Sequence, residues 1–481
     1  MKLTKSKIPL CVDLDGTLVF SDTLQENLIK LLLHKPEYIF VIPFWFLKGI
    51  AFLKHKIASE IELKYSLLPY NIKIIEYINQ KKRSGCKIYL STGANEKIAL
   101  GVSKYLKCFD DIFASNEILN NVGKTKAEIL IKKFGYQKFD YIGNSNNDIP
   151  ALQSSKKGLL VNANKKTIIK VNKNLNIKTT VQKKNITIYS VLNLLRIHQW
   201  VKNLLLFLPI IAAHQLHNLD NVANLIIAFF SFGFCASAIY IINDLYDLEN
   251  DRIHEIKRKR PFANGSISIL TGLILIPILL TGSLLIGYFI NQSFFICLII
   301  YIIITTFYTI FFKRVPVLDC ATLSILYTFR IVAGGIVVNV NPSFWLLHFS
   351  VFMFLSLAFV KRYLELINSS SKNNSELLGR GYYKSDIPVV LGIGLTSGFA
   401  SIVILSLYMQ SQTISKLYQT PEIIWFSLII VLIWISYIWL KACRNQIDSD
   451  PIIFALKDKI RWFLGFLVVL IFLIATFVKV Y

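Results

Sequence analysis

Residues 221–242 read NVANLIIAFFSFGFCASAIYII, and residues 243–251 continue directly as NDLYDLEND. The first stretch has the length of a helix that crosses the hydrocarbon core of a bilayer, which takes about 20 apolar residues. At helical spacing the second stretch places three aspartates on one stripe with an asparagine beside it, namely Asp244, Asp247, Asp251 and Asn243. Uncompensated carboxylates at the end of a membrane helix are costly, so their grouping indicates a bound cation. Hard oxygen ligands of this kind favour Mg²⁺.

The composition of the whole chain is that of a membrane protein. Of 481 residues, 54% are hydrophobic and 17% are charged, which excludes an ordinary soluble protein. The formal net charge of +24 favours polyanionic ligands, but apolar runs of this length argue against a nucleic-acid partner. The seven cysteines form no CxxC pair, so we predict neither a disulfide framework nor a zinc site.

Apolar runs recur from about residue 201 to the end, and we predict about nine membrane spans. The predicted spans cover 201–215, 221–242, 267–290, 293–312, 316–339, 344–364, 387–409, 422–441 and 460–479. Among the loops that follow the predicted spans, those after even-numbered spans carry most of the Lys and Arg residues. This places the even-end loops on the cytoplasmic side of the inner or plasma membrane. We therefore divide the chain into a cytoplasmic N-terminal domain (1–170), a polar linker (171–190) and a membrane domain (191–481).

One N-terminal segment, residues 38–53 (YIFVIPFWFLKGIAFL), is nearly as apolar as a span but shorter, and it contains Pro43 and Lys48. A crossing here would put the two halves of the N-terminal domain on opposite sides of the membrane. Two interpretations remain open. The segment is either a helical cap that packs on the domain or dips into the membrane interface, or a buried helix of the domain core.

Four short motifs in the N-terminal domain indicate phosphate chemistry. DLDGT (13–17) and STG (91–93) each follow an apolar strand, GKTK (123–126) opens a helix, and GNSNND (143–148) follows another strand. The carboxyl ends of parallel strands meet at one edge of a doubly wound sheet, so these groups would form a ring of phosphate and Mg²⁺ ligands. In this order the motifs resemble the haloacid-dehalogenase (HAD) superfamily, which implies a doubly wound α/β fold with a helical cap at about 18–85.

The resemblance also implies a role for each motif in phosphoryl transfer. Asp13 would be the nucleophile and a Mg²⁺ ligand, and Asp15 would be the general acid and base. Thr92 and Lys124, or Lys126 in place of Lys124, would hold the phosphoryl group.

The last motif departs from the family pattern. Asp148 would help to bind Mg²⁺, but Asn144 stands where the family usually has an aspartate. One formal charge is therefore missing from the expected metal shell. A degenerate, purely structural HAD-like domain is the alternative to an active phosphatase.

The acidic motif and the number of spans resemble the UbiA superfamily of intramembrane prenyltransferases. This resemblance implies an all-α membrane fold and a diphosphate held through Mg²⁺. Asn243, Asp244, Asp247 and Asp251 would hold the metal, and Asp247 and Asp251 would be essential for catalysis. The second acidic motif of the family retains only Asp319, which weakens the fit to ordinary prenyl transfer.

Two further segments, RIHQWVKN (196–203) and KRYLE (361–365), resemble one branch of this superfamily, the polyprenyl-phosphate phosphoribosyltransferases. That branch implies that phosphoribosyl diphosphate (PRPP) donates ribose 5-phosphate to a polyprenyl phosphate. Such a donor needs more cations and fewer acids than a prenyl diphosphate. The residues that would bind its phosphates are Lys202, Asn203, Lys257, Arg260, Lys313, Arg330, Lys361, Arg362 and Arg380.

Two other functions stay open at this point. A UbiA-type enzyme that prenylates a small or aromatic acceptor would require a prenyl diphosphate as donor. A transporter or lipid-binding protein with a vestigial HAD-like domain would require charged residues near the bilayer midplane, whereas here they cluster towards one face. If PRPP is the donor, we expect the HAD-like domain to remove the 5-phosphate of the product.

Overall fold

The structure of the protein is a computed structural model that describes residues 8–172, 177–179, 187–368, 379–411, 414, 417–447 and 459–478. Contacts within the chain divide it into two compact units. The first unit comprises Met1–Leu194 and Ile242–Ile274, and the second comprises Leu195–Ile241 and Leu275–Tyr481. The acidic motif therefore groups with the N-terminal residues.

A six-stranded parallel sheet forms the centre of the first unit. Its strands are β1 (Leu10–Val12), β2 (Ile88–Asn95), β3 (Asp111–Ser115), β4 (Asp140–Gly143), β5 (Lys157–Leu160) and β6 (Ile177–Thr179). The strand order is β3-β2-β1-β4-β5-β6, and every neighbouring pair is parallel. The order reverses at β1, and ligands of doubly wound folds bind beyond the carboxyl end of the strand at such a reversal. β6 lies within the predicted linker, of which 173–176 and 180–186 are outside the described residues.

Both faces of the sheet are buried, which explains why its strands are continuous apolar runs. Alternate residues of β1 and β2 enter different hydrophobic clusters, with Leu10, Val12, Ile88 and Leu90 in one and Cys11 and Tyr89 in the other. The predicted doubly wound α/β fold is confirmed.

Helices flank this sheet and form an insertion between its first two strands. They are α1 (Thr23–His34), α2 (Ile42–Leu47), α3 (Ile50–Glu60), α4 (Ile72–Arg83), α5 (Glu96–Leu106), α6 (Lys124–Phe134), α7 (Ile149–Ser154) and α8 (Lys165–Asn172). Helices α1 to α3 lie between β1 and β2 in the sequence, where the cap was expected. The first of these helices, α1, begins after Asp22. The side chain of Asp22 accepts a hydrogen bond of 3.1 Å from the backbone N–H of Gln25 and thereby forms the N-cap of α1.

The apolar segment 38–53 is a helical hairpin in this cap. A 3₁₀ turn (Pro36–Ile39) leads into α2, and α3 follows and packs on both α1 and α2. No residue of α2 is buried. The interpretation of this segment as a buried core helix is therefore wrong, because its apolar side chains have no core to enter.

α-Helices dominate the remainder of the described chain. They are α9 (Ile188–Leu194), α10 (Leu208–Ala212), α11 (Leu219–Tyr246), α12 (Leu248–Ile253), α13 (Ile269–Ile290), α14 (Gln292–Ile310), α15 (Leu318–Val338), α16 (Phe344–Ile367), α17 (Ile387–Met409) and the helices Phe426–Cys443 and Lys459–Phe477.

Seven helices within the described ranges are long and apolar enough to cross a membrane, and they match the second to eighth predicted spans. The number becomes eight if Ile188–Leu194 and Ile197–Ala212, which are bent by 52°, count as one broken span. Trp462–Phe477, in the last predicted span, is a shorter apolar helix. The protein is thus a multi-pass integral membrane protein, and the expected number of nine is approximate.

Candidate active sites

Three buried charges meet at the carboxyl edge of the sheet. Lys126 donates hydrogen bonds to Asp13 Oδ1 and to Asp148 Oδ1, both at 2.9 Å. Tyr141 donates to the same oxygen of Asp148 at 2.8 Å. The three charged side chains are almost completely buried, so their attraction acts in a medium of low polarity, where it is strong.

The fold brings these residues together from distant parts of the sequence. Asp13 directly follows β1, and the neighbouring strand β4 leads into the turn that carries Asp148. Backbone N–H groups of Asn144 and Ser145 donate to Asp148 Oδ2, each at 3.1 Å, and fix that carboxylate. Lys126 reaches both acids from the first turn of α6.

The two aspartates of the DLDGT motif have different pKa values. Burial, together with the charge of Asp148, raises the pKa of Asp13 to about 6, although Lys126 opposes this shift. Burial, and then the nearby carboxylate of Asp22, raises the pKa of Asp15 to about 8. At neutral pH Asp13 is therefore mainly ionised and suited to attack, whereas Asp15 mainly retains a proton that it can donate.

Thr23 and Gly16 shape the loop that carries Asp15. The backbone N–H of Thr23 donates to Asp15 Oδ1 at 2.8 Å. Gly16 has a φ of +75°, and a Cβ there would lie 1.9 Å from Asn144 Nδ2. Glycine is required at this position because the amide of Asn144 packs against the loop that follows the nucleophile.

Lys126 rather than Lys124 supplies the cation of this cluster. Lys124 begins α6 and is exposed, whereas Lys126 points towards Asp13. Of the two alternatives, Lys126 is therefore the one that the fold brings to the cluster, because residues two apart lie on nearly opposite sides of a helix. Phosphate binding by either lysine stays a prediction. The Thr92 hydroxyl is buried and accepts a hydrogen bond from the backbone N–H of Ala94 at 3.0 Å, and its role as a phosphate ligand stays a prediction.

A lysine of the cap, Lys54, also reaches this region, although no sequence motif indicated it. From α3 it donates to the carbonyl oxygen of Gly93 at 2.7 Å and to Asn120 Oδ1 at 2.9 Å. Burial lowers the pKa of its ammonium group. Lys54 thus brings a cation from the cap to the residue that follows Thr92. Only the tertiary fold, which places α3 beside β2, reveals this.

The donor set of the sheet edge fits Mg²⁺. Among the described residues, no three or more His, Cys, Asp and Glu side chains form a metal cage. Mg²⁺ usually takes only one or two protein carboxylates and completes its shell with water and substrate phosphate. Asp13 and Asp148 offer two carboxylates that converge on Lys126, and Asn144 stands where a third would be.

Two carboxylates of the acidic motif converge on another cation. Arg260 Nη1 donates to Asp244 Oδ1 at 3.1 Å and to Asp251 Oδ2 at 2.6 Å. Both aspartates are buried. Burial raises the pKa of Asp251 to about 6, an effect that Arg260 opposes and Asp244 reinforces. A guanidinium thus lies where two hard oxygen ligands meet, so this donor set also fits a divalent cation.

One residue of the acidic motif separates two helices. α11 ends at Tyr246, and Asp247 caps the start of α12 with non-helical backbone angles. The Asp247 N–H donates to the carbonyl oxygen of Asn243 at 2.9 Å, and the Asp251 N–H donates to that of Asp247 at 2.8 Å. These i to i−4 hydrogen bonds continue the helical spacing across Asp247, and they keep Asp244 and Asp251 close to one another.

The segment after the acidic motif is held on the first helix of the cap. Arg252 donates two hydrogen bonds to Glu26 of α1, at 2.9 and 2.7 Å, and both side chains are buried. Glu249 pairs with Lys30 of α1 at 2.6 Å and with Lys64 at 3.1 Å, and Lys64 is 63% exposed. We refer to the buried Glu26–Arg252 pair as the cap clamp.

Glu26→Gln is expected to weaken the cap clamp by about 3–5 kcal/mol, because a buried guanidinium loses the charge that compensates it. The measurement is hydrogen exchange of residues 23–34 and 248–253 in the full-length protein, where faster exchange is expected in both. Lys64→Gln is the matched control, since an exposed ion pair contributes about 1 kcal/mol or less. Exchange in Glu26→Gln that equals the control would show that the clamp contributes nothing.

In the second unit, Asp319 is the centre of a buried ionic cluster. Arg362 pairs with Asp319 at 2.5 Å and also with Glu365. Tyr382 donates to Asp319 Oδ1 at 2.7 Å, and Arg380 lies 4.0 Å from Asp319. Two arginines expected to bind phosphate therefore lie together. The sequence motifs did not identify Glu365 or Tyr382 as members of this cluster.

Arg330 lies in a different cluster from Asp319, although both belong to α15. Its guanidinium donates to Asn203 Oδ1 at 3.2 Å, to Tyr301 Oη at 2.9 Å and to the carbonyl oxygen of Leu326 at 2.6 Å. Each of its three nitrogens thus donates one hydrogen bond to a protein group. This arrangement indicates a structural role for Arg330, and phosphate binding by the remaining two N–H groups stays a prediction.

Arg330→Leu is expected to destabilise the protein in detergent. The substitution leaves Asn203 and Tyr301 with buried, unpaired polar groups, which costs about 1–3 kcal/mol each. Arg330→Lys is the matched control for charge, because it retains the cation but loses the planar fork of donors. Thermal unfolding of both variants provides the test. An unchanged melting temperature with lost activity would instead support phosphate binding by Arg330.

The remaining cations expected in the second unit differ in exposure. Lys202 is buried, and its ammonium group lies 5.2 Å from the ring centroid of Tyr327. Lys313 is also buried, and Lys361 is half-buried. Their roles in phosphate binding stay predictions.

The fold defines a polytopic membrane protein that carries an additional doubly wound α/β domain. Residues 204–465 match the UbiA prenyltransferase family, and the chain belongs to that family. The predicted UbiA-type region is confirmed. The doubly wound fold of the N-terminal residues agrees with the predicted HAD-like domain, and the assignment to that superfamily stays a prediction.

Known relatives resemble different portions of the chain. The uncharacterized protein y4nM of Sinorhizobium fredii is 35% identical over 98% of this chain and 91% of its own length. The decaprenyl-phosphate phosphoribosyltransferase of Mycolicibacterium smegmatis is 35% identical over 36% of this chain and 55% of its own length. A solved structure of a UbiA homolog from Archaeoglobus fulgidus bound to DMAPP and Mg²⁺ is 17% identical, with a TM-score of 0.45, and covers 59% of this chain and 96% of that one.

Proposed function

We propose that the UbiA-type region transfers ribose 5-phosphate from PRPP to a polyprenyl phosphate, and that the HAD-like domain then removes the 5-phosphate. The observation that carries this proposal is the pairing of Asp319 with Arg362. A site for prenyl diphosphate would need several carboxylates at each of two acidic motifs, whereas the second motif here retains a single aspartate, and that aspartate is paired with Arg362. One acidic cluster with several cations suits a donor that carries a diphosphate and a further phosphate.

In the transfer reaction, Asp244, Asp247 and Asp251 would hold the metal-bound diphosphate at the end of α11. Mg²⁺, when bound, neutralises the charge that develops on the leaving diphosphate. Arg260, which now pairs with two of these acids, would turn to diphosphate oxygens, and Lys257 lies in the turn just before it. An oxygen of the polyprenyl phosphate attacks C1 of the ribose while the bond from C1 to the diphosphate breaks. The acceptor is already an anion, so no strong base is needed.

The 5-phosphate of the donor requires cations of its own. We assign this role to Arg362 and Arg380, with Lys202 and Lys361 as further candidates. The polyprenyl tail would lie among apolar helices, with its phosphate at the cytoplasmic rim. Similarity to the decaprenyl-phosphate phosphoribosyltransferase of M. smegmatis supports this donor and this acceptor.

In the HAD-like domain, Asp13 would attack the phosphorus of the ribose 5-phosphate, and the bond from phosphorus to the ribose oxygen would break. Asp15 would donate its proton to that oxygen, which a pKa of about 8 permits at neutral pH. A water oxygen then attacks the phosphorus of the aspartyl-phosphate while Asp15 takes a proton from that water. The bond from phosphorus to Asp13 breaks, and inorganic phosphate leaves. Lys126 and Thr92 would hold the phosphoryl group throughout.

Mass spectrometry of lipid products tests the proposal. Purified full-length protein in liposomes is incubated with Mg²⁺ and polyprenyl phosphate, and in parallel with PRPP or a prenyl diphosphate. We expect a ribosyl lipid from PRPP only, and no product when EDTA removes the metal. Turnover of the prenyl diphosphate alone would overturn the proposed donor and favour prenylation of another acceptor.

A further inference from the structure

The hairpin formed by residues 36–50 exposes a continuous apolar surface in the first unit. Phe40 is 77% exposed, and Leu47 is 82% exposed. The other large apolar side chains exposed on this hairpin are Ile39, Val41, Phe44, Phe46 and Ile50. A surface of this kind marks an interaction site, because soluble surfaces rarely carry so many contiguous apolar groups.

The hairpin is held in place from its inner side. Glu60 of α3 accepts hydrogen bonds of 2.7 Å from both Lys35 and Tyr38. The rings of Tyr38 and Trp45 lie 5.4 Å apart, and both side chains are only partly exposed. Gly49 makes the turn between α2 and α3 with a φ of +108°. The phenylalanines and Leu47 are therefore presented outwards by a defined structure.

The charges around this surface complement an anionic lipid surface. The ammonium groups of Lys48 and Lys56 lie 5.2 and 5.3 Å from the ring centroid of Phe52, so two cations accompany the aromatic side chains at this end of the hairpin. Glu37 is the one acidic residue within residues 36–50. Lys35, just before the hairpin, is paired with Glu60. Aromatic side chains flanked by lysines are typical of helices that lie in the headgroup region of a bilayer.

We propose that residues 36–50 insert into the headgroup region of an anionic bilayer and hold the cap at the membrane surface. We choose a bilayer as the partner of this surface because the protein spans a membrane, so a bilayer always accompanies it. The same helix that carries Ile50 at its exposed end carries Lys54, which contacts Gly93 beside the phosphate cluster. The inserted hairpin therefore presents the opening of the phosphatase site to lipid-linked phosphates. The insertion itself does not depend on which donor the transferase uses.

A fluorescent reporter at the tip tests this insertion. Cys443 is the exposed cysteine and the other six are buried, so Cys443→Ser provides the background for labelling Leu47→Cys with NBD. Ile118→Cys is the matched control, because Ile118 is 93% exposed and lies outside the hairpin. Both full-length proteins are placed in nanodiscs of phosphatidylcholine and phosphatidylglycerol. Doxyl-labelled lipid and aqueous iodide serve as the two quenchers.

We expect doxyl lipid to quench the reporter at position 47 several-fold more than the reporter at position 118, and iodide to show the reverse order. Adding Phe44→Asp should remove this difference without lowering the melting temperature, because Phe44 is exposed. Equal quenching at the two positions would overturn the proposal. Protection of position 47 from both quenchers would also overturn it, because a protein surface, such as a second copy of this chain, would then cover the hairpin.

Discussion

Asp251→Ala is expected to lower the rate of the membrane reaction at least about a hundredfold while the protein remains folded. Asp251 and Asp244 converge on one nitrogen of Arg260, and this is where we place the metal-bound diphosphate. Loss of one metal ligand removes stabilisation of the leaving group in the transition state. A hundredfold slower rate corresponds to about 2.7 kcal/mol. Asp247→Ala is expected to have an effect of the same size.

The matched control is Glu255→Gln, which removes a charge from an exposed position just beyond the same motif. It should keep nearly the wild-type rate. Initial rates are measured with labelled donor over a range of Mg²⁺ concentrations, together with thermal unfolding in detergent. A folded Asp251→Ala protein that works at nearly the normal rate at saturating Mg²⁺ would refute the placement of the diphosphate.

Asp13→Asn is expected to stop the second reaction at its substrate. Wild-type protein supplied with PRPP, polyprenyl phosphate and Mg²⁺ should accumulate the dephosphorylated ribosyl lipid. The variant should accumulate the lipid that retains its 5-phosphate, because an amide does not form the aspartyl-phosphate. We expect the rate of dephosphorylation to fall at least about a thousandfold, an effect of about 4 kcal/mol. Transfer of ribose 5-phosphate should be unaffected.

Asp111→Asn is the control for this experiment, since Asp111 is an exposed acid at the start of β3. Asp15→Asn provides a second variant in case Asp13→Asn lowers stability through its pairing with Lys126. Both masses are read from the same lipid extract, so transfer and dephosphorylation are scored separately. If wild type also stops at the phosphorylated lipid, the HAD-like domain is inactive on this product, as the asparagine at position 144 would explain.

The sequence predicts the N-terminal fold well because its motifs are local and each follows a strand. DLDGT begins where β1 ends, and parallel topology then brings it beside the turn after β4. The motif does not decide between Lys124 and Lys126. Both lie in the same motif, and only the starting residue of α6 decides which of them points inwards.

Other features depended on contacts that leave no periodic signal. The composition of residues 38–53 fits a buried helix and an exposed one equally well, and only the tertiary fold, in which no residue of α2 is buried, separates them. Asp319 and Arg330 both belong to α15, yet each is bound by residues of other helices, and the sequence of α15 alone does not show these partners. The spacing of aspartates in the acidic motif likewise conceals the break at Asp247.

The cap clamp changes what the polar linker has to do. If a flexible linker alone joined the N-terminal domain to the membrane domain, the distance between the ends of the linker would fluctuate on the order of tens of ångströms. The frequency with which product meets phosphatase would then follow from chain entropy, which changes with the number of residues. Glu26 and Arg252 add a second connection of another kind within the first unit, because they bind α1 to the segment after the acidic motif through side chains. A substitution of either clamp residue therefore has to be matched at the other, because each compensates the buried charge of its partner.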